Sequence, residues 1–435
     1  VVISKPILTK SKMNIPATGK KRVVIVGGGF GGLQIAKGLR NSEFQVVMLD
    51  KHNYHAFQPL FYQVATAGLE PGSVAYPFRK IFAGYKNFFF RMTEVLDVNS
   101  ESKTVRTTIG DLSYDYLVLA TGATSNYFGL KSIEERAMPM KSISEALDIR
   151  SLMLQNFEKA LLSDDLKERE ALMSVIIVGG GPTGVELAGA IAELRKDILP
   201  KDYPDLDVRA MDIHLIEAND RLIKSMSEES SAKAREALEK MGVDLWFGTR
   251  VTEYDGKEAV TSDGRKLAGA MLIWAAGVKA VVPNGINASS IKGGRMSVNQ
   301  FNQIEGYSDV FAIGDAALMI TPESPLGHPM VAQPAMQQGQ LLAKNLKRLV
   351  AGSSMAPFHY KDLGSMATIG RNKAVTEMKK LKLSGWIAWI AWLFVHVYQL
   401  VGFRNKIVVM INWAQNYFRH ARDLRLIIRP FKRGA

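Results

Sequence analysis

Cysteine is absent from all 435 residues. That excludes disulfide frameworks, thiolate metal sites, cysteine-ligated iron–sulfur clusters and every dithiol redox mechanism. An apolar h-region is missing before Arg22, so no secretory signal is expected; Met13 reads as a natural start, with residues 1–12 as a leader or remnant. A charge-free run of comfortable spanning length is missing too. Gly385–Phe403 has nineteen residues without a formal charge, borderline for the ~20 that a spanning helix needs. Acids are scarce at both ends. Residues 1–22 carry six Lys/Arg and no acid, and residues 404–433 carry eight with one acid, Asp423. The net charge of +13 therefore belongs to the ends, and the body is formally neutral. Basic ends suit nucleic acid or an anionic membrane surface.

What is present is organised around Arg22–Gly32. Val23 to Val26 is a run of β-branched residues, the pattern of a buried strand. Gly27, Gly29 and Gly32 follow with G-x-G-x-x-G spacing, with Phe30 and Gly31 opening a helix. The first glycine permits the tight turn, the second lets a pyrophosphate approach the backbone, and the third lets helix and strand pack closely. The helix N-terminus presents free N–H groups to phosphate. A second strand, Phe44–Leu49, ends in Asp50, placed to take ribose hydroxyls, with Lys51 beside it. His52 and His55 lie in the aromatic segment that follows, which enters a helix near Leu60 and includes Gln63. They read as surface or capping residues, and no metal site is expected because no third ligand stands at ligand spacing. Strands are expected at 88–90, 94–98 (with Val95), 104–106 and 116–119. The last runs into Ala120-Thr121-Gly122, a turn at a strand's carboxyl end where ligands bind.

The pattern then repeats. After a polar helical region at 141–172, Val175–Val178 is a strand. Gly179, Gly181 and Gly184 repeat the spacing, with Pro182 and Thr183 between and Glu186 on the next helix; Asp212–Glu217 is a strand ending in an acid. Two copies about 150 residues apart imply two dinucleotide sites. Acids at both strand ends repel a 2′-phosphate, so FAD and NAD are expected rather than NADP, although Arg221 could soften that at the second site. Met271–Trp274 runs into Ala275-Ala276-Gly277, and Asp309–Ile313 ends in Gly314-Asp315, an aspartate suited to a flavin's ribityl chain.

These residues resemble the two-dinucleotide flavoprotein disulfide-reductase superfamily, and within it the type II NADH:quinone oxidoreductases, the single-subunit, non-proton-pumping NADH dehydrogenases. The resemblance covers roughly residues 20–420. It rests on Val26–Gly32, Gly179–Leu187, Phe311–Asp315 and Ala332-Gln333-Pro334-Ala335-Met336-Gln337-Gln338-Gly339. It implies an α/β fold of two Rossmann-like doubly wound domains: an FAD domain (20–136 and 279–378) with an NAD domain (137–278) inserted, and membrane-anchoring C-terminal helices (379–435). It implies Gln333 and Gln337 as the quinone-facing pair, with Ala332 and Gln333 beside the flavin; their spacing of four puts both amides on one helical face. It implies Glu186 near the nicotinamide. Some relatives carry a lysine in the first C-terminal apolar helix; here no Lys or Arg lies between Lys382 and Arg404, and the only imidazole is His396.

Trp386, Trp389 and Trp392 recur every three residues, as suits a membrane interface, and Arg404–Arg419 reads as an amphipathic helix whose cations meet anionic lipid. The aromatics are not interleaved with the charges, so no nucleic acid is expected. The expected activity is electron transfer from NADH through FAD to a membrane quinone, by a monotopic protein at the cytoplasmic face of a bacterial inner membrane, with a homodimer left open. The alternatives are a soluble ferredoxin- or rubredoxin-type reductase, and a membrane-associated flavoprotein with a non-catalytic role.

Overall fold

The computed structural model describes residues 13–379, 381–419 and 425–432. The expected leader at 1–12, and residues 420–424 and 433–435 of the basic tail, lie outside the described residues. The chain forms two compact units. The first comprises Val1–His55, Pro77–Thr124 and Lys279–Asp362; the second comprises Ala56–Tyr76, Ser125–Val278 and Leu363–Ala435. Three of these divisions differ from the sequence expectation: residues 56–76 and residues 125–136 fall in the second unit, and its C-terminal part begins at 363 rather than 379.

The first unit is built on a five-stranded parallel sheet in the order Val310–Ala312, Tyr116–Leu119, Arg22–Val26, Gln45–Asp50, Phe88–Met92. Its central strand is buried almost throughout, as a parallel strand covered on both faces must be. Val24, Val26, Leu117 and Leu119 form one core with Val105 and Leu112 of the antiparallel meander at 95–113. Helix Phe30–Gly38 packs on helix Ala332–Val350. Gly339 permits that contact, because a Cβ there would stand 2.5 Å from the Gly31 carbonyl oxygen.

The second unit repeats the plan. Its parallel sheet runs Met138–Pro139, Met271–Trp274, Val175–Val178, Ile213–Ile216, Asp244–Trp246. Helix Pro182–Asp197 follows the central strand. A three-stranded antiparallel sheet, Ser365–Gly370, Lys373–Met378 and Leu381–Ser384, lies on that helix. The approach is close at Gly189, where a Cβ would lie 1.8 Å from the Ile369 carbonyl oxygen. Helices Gly385–Gln399 and Phe403–Arg419 are the last helices among the described residues.

Candidate functional site

In the first unit each fingerprint glycine has a distinct geometry. Gly27 has φ +99°, and a Cβ there would lie 2.3 Å from the Ala120 carbonyl oxygen. A Cβ on Gly32 would lie 1.9 Å from the Gly27 oxygen, so helix and loop touch backbone to backbone. Gly29, the helix N-cap, has no atom within 4 Å of such a Cβ. It is the open side of the cradle, where a pyrophosphate has room. Asp50 accepts hydrogen bonds from the Gly28 N–H at 2.6 Å and the His52 N–H at 2.7 Å, and keeps lone pairs for ribose hydroxyls. Burial raises its pKa and these N–H groups oppose the rise. Lys51 beside it is exposed and Val95 half-buried.

His55 departs from the surface role expected of it. It is buried, its Nδ1 lies 3.0 Å from the Gly28 carbonyl oxygen, and its ring meets Phe30 edge-on at 5.4 Å. Burial lowers its pKa to about 4, so it is neutral and supports the phosphate loop from behind. Across the sheet, the Thr121 hydroxyl donates to the Val281 carbonyl and the Val281 N–H to the Gly122 carbonyl. Gly314 has φ +66°, and its N–H donates to the buried Gln338 side chain at 2.7 Å. Arg295 donates to the carbonyls of Asp315, Ala317 and His328, fixing the Asp315 turn and the approach to Ala332. Arg295 lies in no motif that would single it out in the sequence, and Gln338 lies inside the Ala332–Gly339 segment without a role assigned to it there.

The expected quinone pair is present but occupied in part. Gln337 donates to the Lys361 carbonyl at 2.8 Å and accepts from its N–H at 3.0 Å. One amide hydrogen and one lone pair remain outside that clamp. Gln333 accepts from the Tyr360 hydroxyl at 3.4 Å.

The second unit builds the same cradle. Gly179 has φ +113°, a Cβ on Gly184 would lie 1.9 Å from the Gly179 oxygen, and Gly181 is open. Pro182 starts the helix with exposed Thr183 after it. Glu217 accepts from the Gly180 N–H at 2.6 Å and from the Asn219 N–H at 2.7 Å. Ala275 and Ala276 underlie Gly179, and the carbonyl of Gly277 accepts from the Asn126 N–H. Arg221 donates to the Met226 and Lys224 carbonyls and to Ser231, so its guanidinium is committed within its own loop.

Glu186 follows the second loop on helix Pro182–Asp197, and its side chain is buried. It lies in the wall of an aromatic slot, a cavity of about 110 Å³ lined by Tyr62, Gln63, Trp389, Trp392, Trp413 and Tyr417 among others. Burial raises its pKa to about 8, so the carboxyl is protonated at neutral pH; the Thr368 N–H, 3.4 Å away, opposes the rise, as does the Trp392 indole. That indole N–H is buried and closes no hydrogen bond of ordinary geometry. The ring stacks on His396 at 3.9 Å, and the His396 Nδ1 lies 2.7 Å from the Trp392 carbonyl oxygen. Burial lowers His396 to about 4. Gln63, expected at the flavin, belongs to this second unit, where it accepts from Trp413 Nε1 at 2.7 Å and donates to the Tyr62 hydroxyl at 2.8 Å.

The C-terminal helices have one exposed apolar face each. Trp386, Ile390 and Phe394 mark one; Phe403, Met410 and Phe418 mark the other, with Phe394 72%, Phe403 80% and Phe418 79% exposed. Trp392 corrects the expectation of an interfacial row of tryptophans. Steps of three residues turn the helix by about −60° each, so Trp386 faces out, Trp389 is half-buried and Trp392 points inward. Among the described residues no helix is long and apolar enough to cross a membrane.

Comparison with known proteins agrees with this geometry. Residues 21–339 match the pyridine nucleotide-disulphide oxidoreductase model, and residues 363–423 match the NDH2 C-terminal domain. The chain is 36% identical to the type II NADH:quinone oxidoreductase NdhA of Mycobacterium tuberculosis, over 93% of this chain and 88% of the relative. It is 30% identical to the internal alternative NAD(P)H-ubiquinone oxidoreductase A1, mitochondrial, of Arabidopsis thaliana, over 94% and 86%. Among solved structures, NDH2 from Plasmodium falciparum in complex with NADH superposes with a TM-score of 0.87 at 20% identity, over 94% of this chain and all of that one, a likeness of fold.

Proposed function

The chain belongs to the type II NADH:quinone oxidoreductases, within the pyridine nucleotide-disulphide oxidoreductase family, and from that premise we propose that it oxidises NADH and reduces a membrane quinone through FAD. The observation that carries the reading is the pair of open, acid-tipped dinucleotide cradles in a chain without a thiol. A disulfide or sulfide substrate would need a cysteine to take up sulfur, so the electrons must leave for an acceptor that needs none.

FAD, when bound, supplies the redox centre that takes a hydride from NADH and returns two electrons. The residues fit it. Gly29 leaves room for the pyrophosphate, Asp50 offers lone pairs to a ribose, and Arg295 with Gln338 holds the Asp315 turn for the ribityl side. Glu217 disfavours a 2′-phosphate on the nicotinamide nucleotide, and the committed Arg221 does not offset it.

For the quinone we propose the aromatic slot of the second unit. Its indole and phenol rings suit a flat, weakly polar ring, and the protonated Glu186 can donate to a quinone oxygen. As the alternative to that slot, Gln333 and Gln337 of the first unit are kept as the proposed quinone contacts; the clamp on Lys361 leaves Gln337 the weaker of the two. The exposed apolar faces of the last two helices suit a lipid surface. The cytoplasmic face of a bacterial inner membrane is the compartment proposed. Anaerobic addition of NADH followed by quinone tests the reading: flavin absorbance should bleach and then return.

A further inference from the structure

Beside the second cradle stands a large apolar side chain that the fold leaves out of its core. Phe128 is 62% exposed and has φ +52°. Positive φ is an outlier for a bulky residue, and such strain collects where a site needs a side chain held in one place. Its neighbours behave otherwise. The Tyr127 ring lies against the Trp274 ring, with centroids 5.7 Å apart, and Leu130 packs on the same core. Of these three side chains only Phe128 is exposed.

The turn that carries it is tied to one strand end of the cradle. The Asn126 Oδ1 accepts from the Phe128 N–H at 3.0 Å, and the Asn126 N–H donates to the Gly277 carbonyl at 3.1 Å. The Trp274 indole N–H donates to the Asn126 carbonyl at 2.8 Å. Gly277 has φ +150°, and a Cβ there would stand 2.9 Å from the tip of the Phe128 ring. The tip therefore rests on bare backbone, and most of the side chain meets solvent.

The order of the sheet decides what that ring would face. Met271–Trp274 and Ile213–Ile216 flank Val175–Val178, with their carboxyl ends level at Trp274, Val178 and Ile216. Neighbouring strands lie about 4.8 Å apart, so the two outer strand ends are about 10 Å apart across the glycine loop. With an adenosine ribose at Glu217 and the pyrophosphate at the loop between, the other nucleotide has to lie over the end of Met271–Trp274. Gly277 and Phe128 stand at that end.

We propose that Phe128 is a binding residue for the nicotinamide-bearing half of NADH, its ring set against the nucleotide beyond the pyrophosphate. The inference rests on the reading of the second cradle as the NADH site. A flat heteroaromatic ring on a ribose gains contact area and ring stacking from an aromatic side chain. The left-handed turn keeps the Phe128 ring at the edge of the cradle instead of in the core beside Tyr127. Its strain therefore serves binding and not stability.

The test uses the full-length, flavin-loaded protein. Flavin bleaching is followed against NADH concentration, with AMP as a competitor that reaches only the adenosine side. Phe128→Gly removes the ring and suits the left-handed backbone. Half-saturation by NADH should rise about threefold to tenfold, the worth of one aromatic contact, while inhibition by AMP keeps its strength. Phe128→Tyr, which restores a ring, should recover most of the loss. Should Phe128→Gly lose flavin, Phe128→Leu, which keeps apolar bulk without a flat ring, is read the same way. Unchanged half-saturation by NADH overturns the inference. Equal weakening of AMP and NADH also overturns it, because the ring then only shapes the loop at Gly277. Glu217→Ala separates this inference from the reading beneath it. If Glu217→Ala weakens both AMP and NADH while Phe128→Gly weakens neither, the inference fails alone; if Glu217→Ala weakens neither, the second cradle is not the NADH site.

Discussion

Glu217 accepts a 2.6 Å hydrogen bond from the Gly180 amide, at the point where a second nucleotide loop leaves its strand. Asp50 makes the same bond, at the same length, to Gly28 in the other unit. Each acid is therefore part of the loop it serves, at the strand end where dinucleotide-binding folds hold a ribose.

Nucleotide choice follows from that bond. The parent protein should favour NADH over NADPH. Glu217→Ala removes both the ribose acceptor and the charge facing a 2′-phosphate. It should raise KM for NADH and narrow the NADH-to-NADPH ratio of kcat/KM by about tenfold, the worth of one charge-assisted hydrogen bond. Efficient NADPH use by the parent would remove Glu217 from this role.

Glu186 gives a pH-dependent stability. Its folded pKa of about 8 stands above its ordinary 4.5, so between those values the folded chain holds a proton that the unfolded chain releases. Stability from this group is full below about pH 4.5 and is lost as pH rises towards 8. Glu186→Gln stays neutral throughout and keeps an oxygen for the Thr368 N–H. Its stability advantage over the parent should grow by about 1–3 kcal/mol from pH 5 to pH 7, a rise of a few degrees in Tm at the higher pH. Parallel Tm curves for the two proteins would show that the carboxyl is ionised in the fold.

Membrane contact should reside in the exposed faces of the last two helices. Phe394→Glu, Phe403→Glu and Phe418→Glu together should abolish flotation with anionic vesicles. Flavin reduction by NADH should continue, because these side chains face away from the protein. Salt should weaken binding of the parent only in part, since charges are screened over about 8–10 Å and the apolar faces are not. Full flotation of the triple variant would move the contact elsewhere.

Both nucleotide cradles were legible in the sequence because each element obeys a local rule. Val23–Val26 and Val175–Val178 are unbroken β-branched runs, the glycines are spaced for the turn, and the acids close the following strands. The slot was not legible, because its residues come from 62–68, 186–198, 368–371 and 389–417 and meet only through tertiary packing. The sheet at 365–384 was missed because nothing local marks it. The signal lies in Gly189, whose missing side chain admits Ile369, and a single glycine inside a helix does not say what approaches it. Trp392 and His55 were misread for one reason: a large or titratable side chain shows no burial until the helix phase, or the loop it supports, is known.

The most direct test of the account is rapid mixing of the flavin-loaded protein, first with NADH and then with a short-chain quinone, in the parent and in Glu186→Gln and Gln337→Leu. The parent should bleach with NADH and recover with quinone. Glu186→Gln should slow recovery by about tenfold or more and leave bleaching nearly unchanged. Gln337→Leu, which removes an amide largely spent on Lys361, should slow recovery by about threefold to tenfold at most. Failure of the parent flavin to bleach with NADH, or to recover with quinone, would contradict the account at its centre.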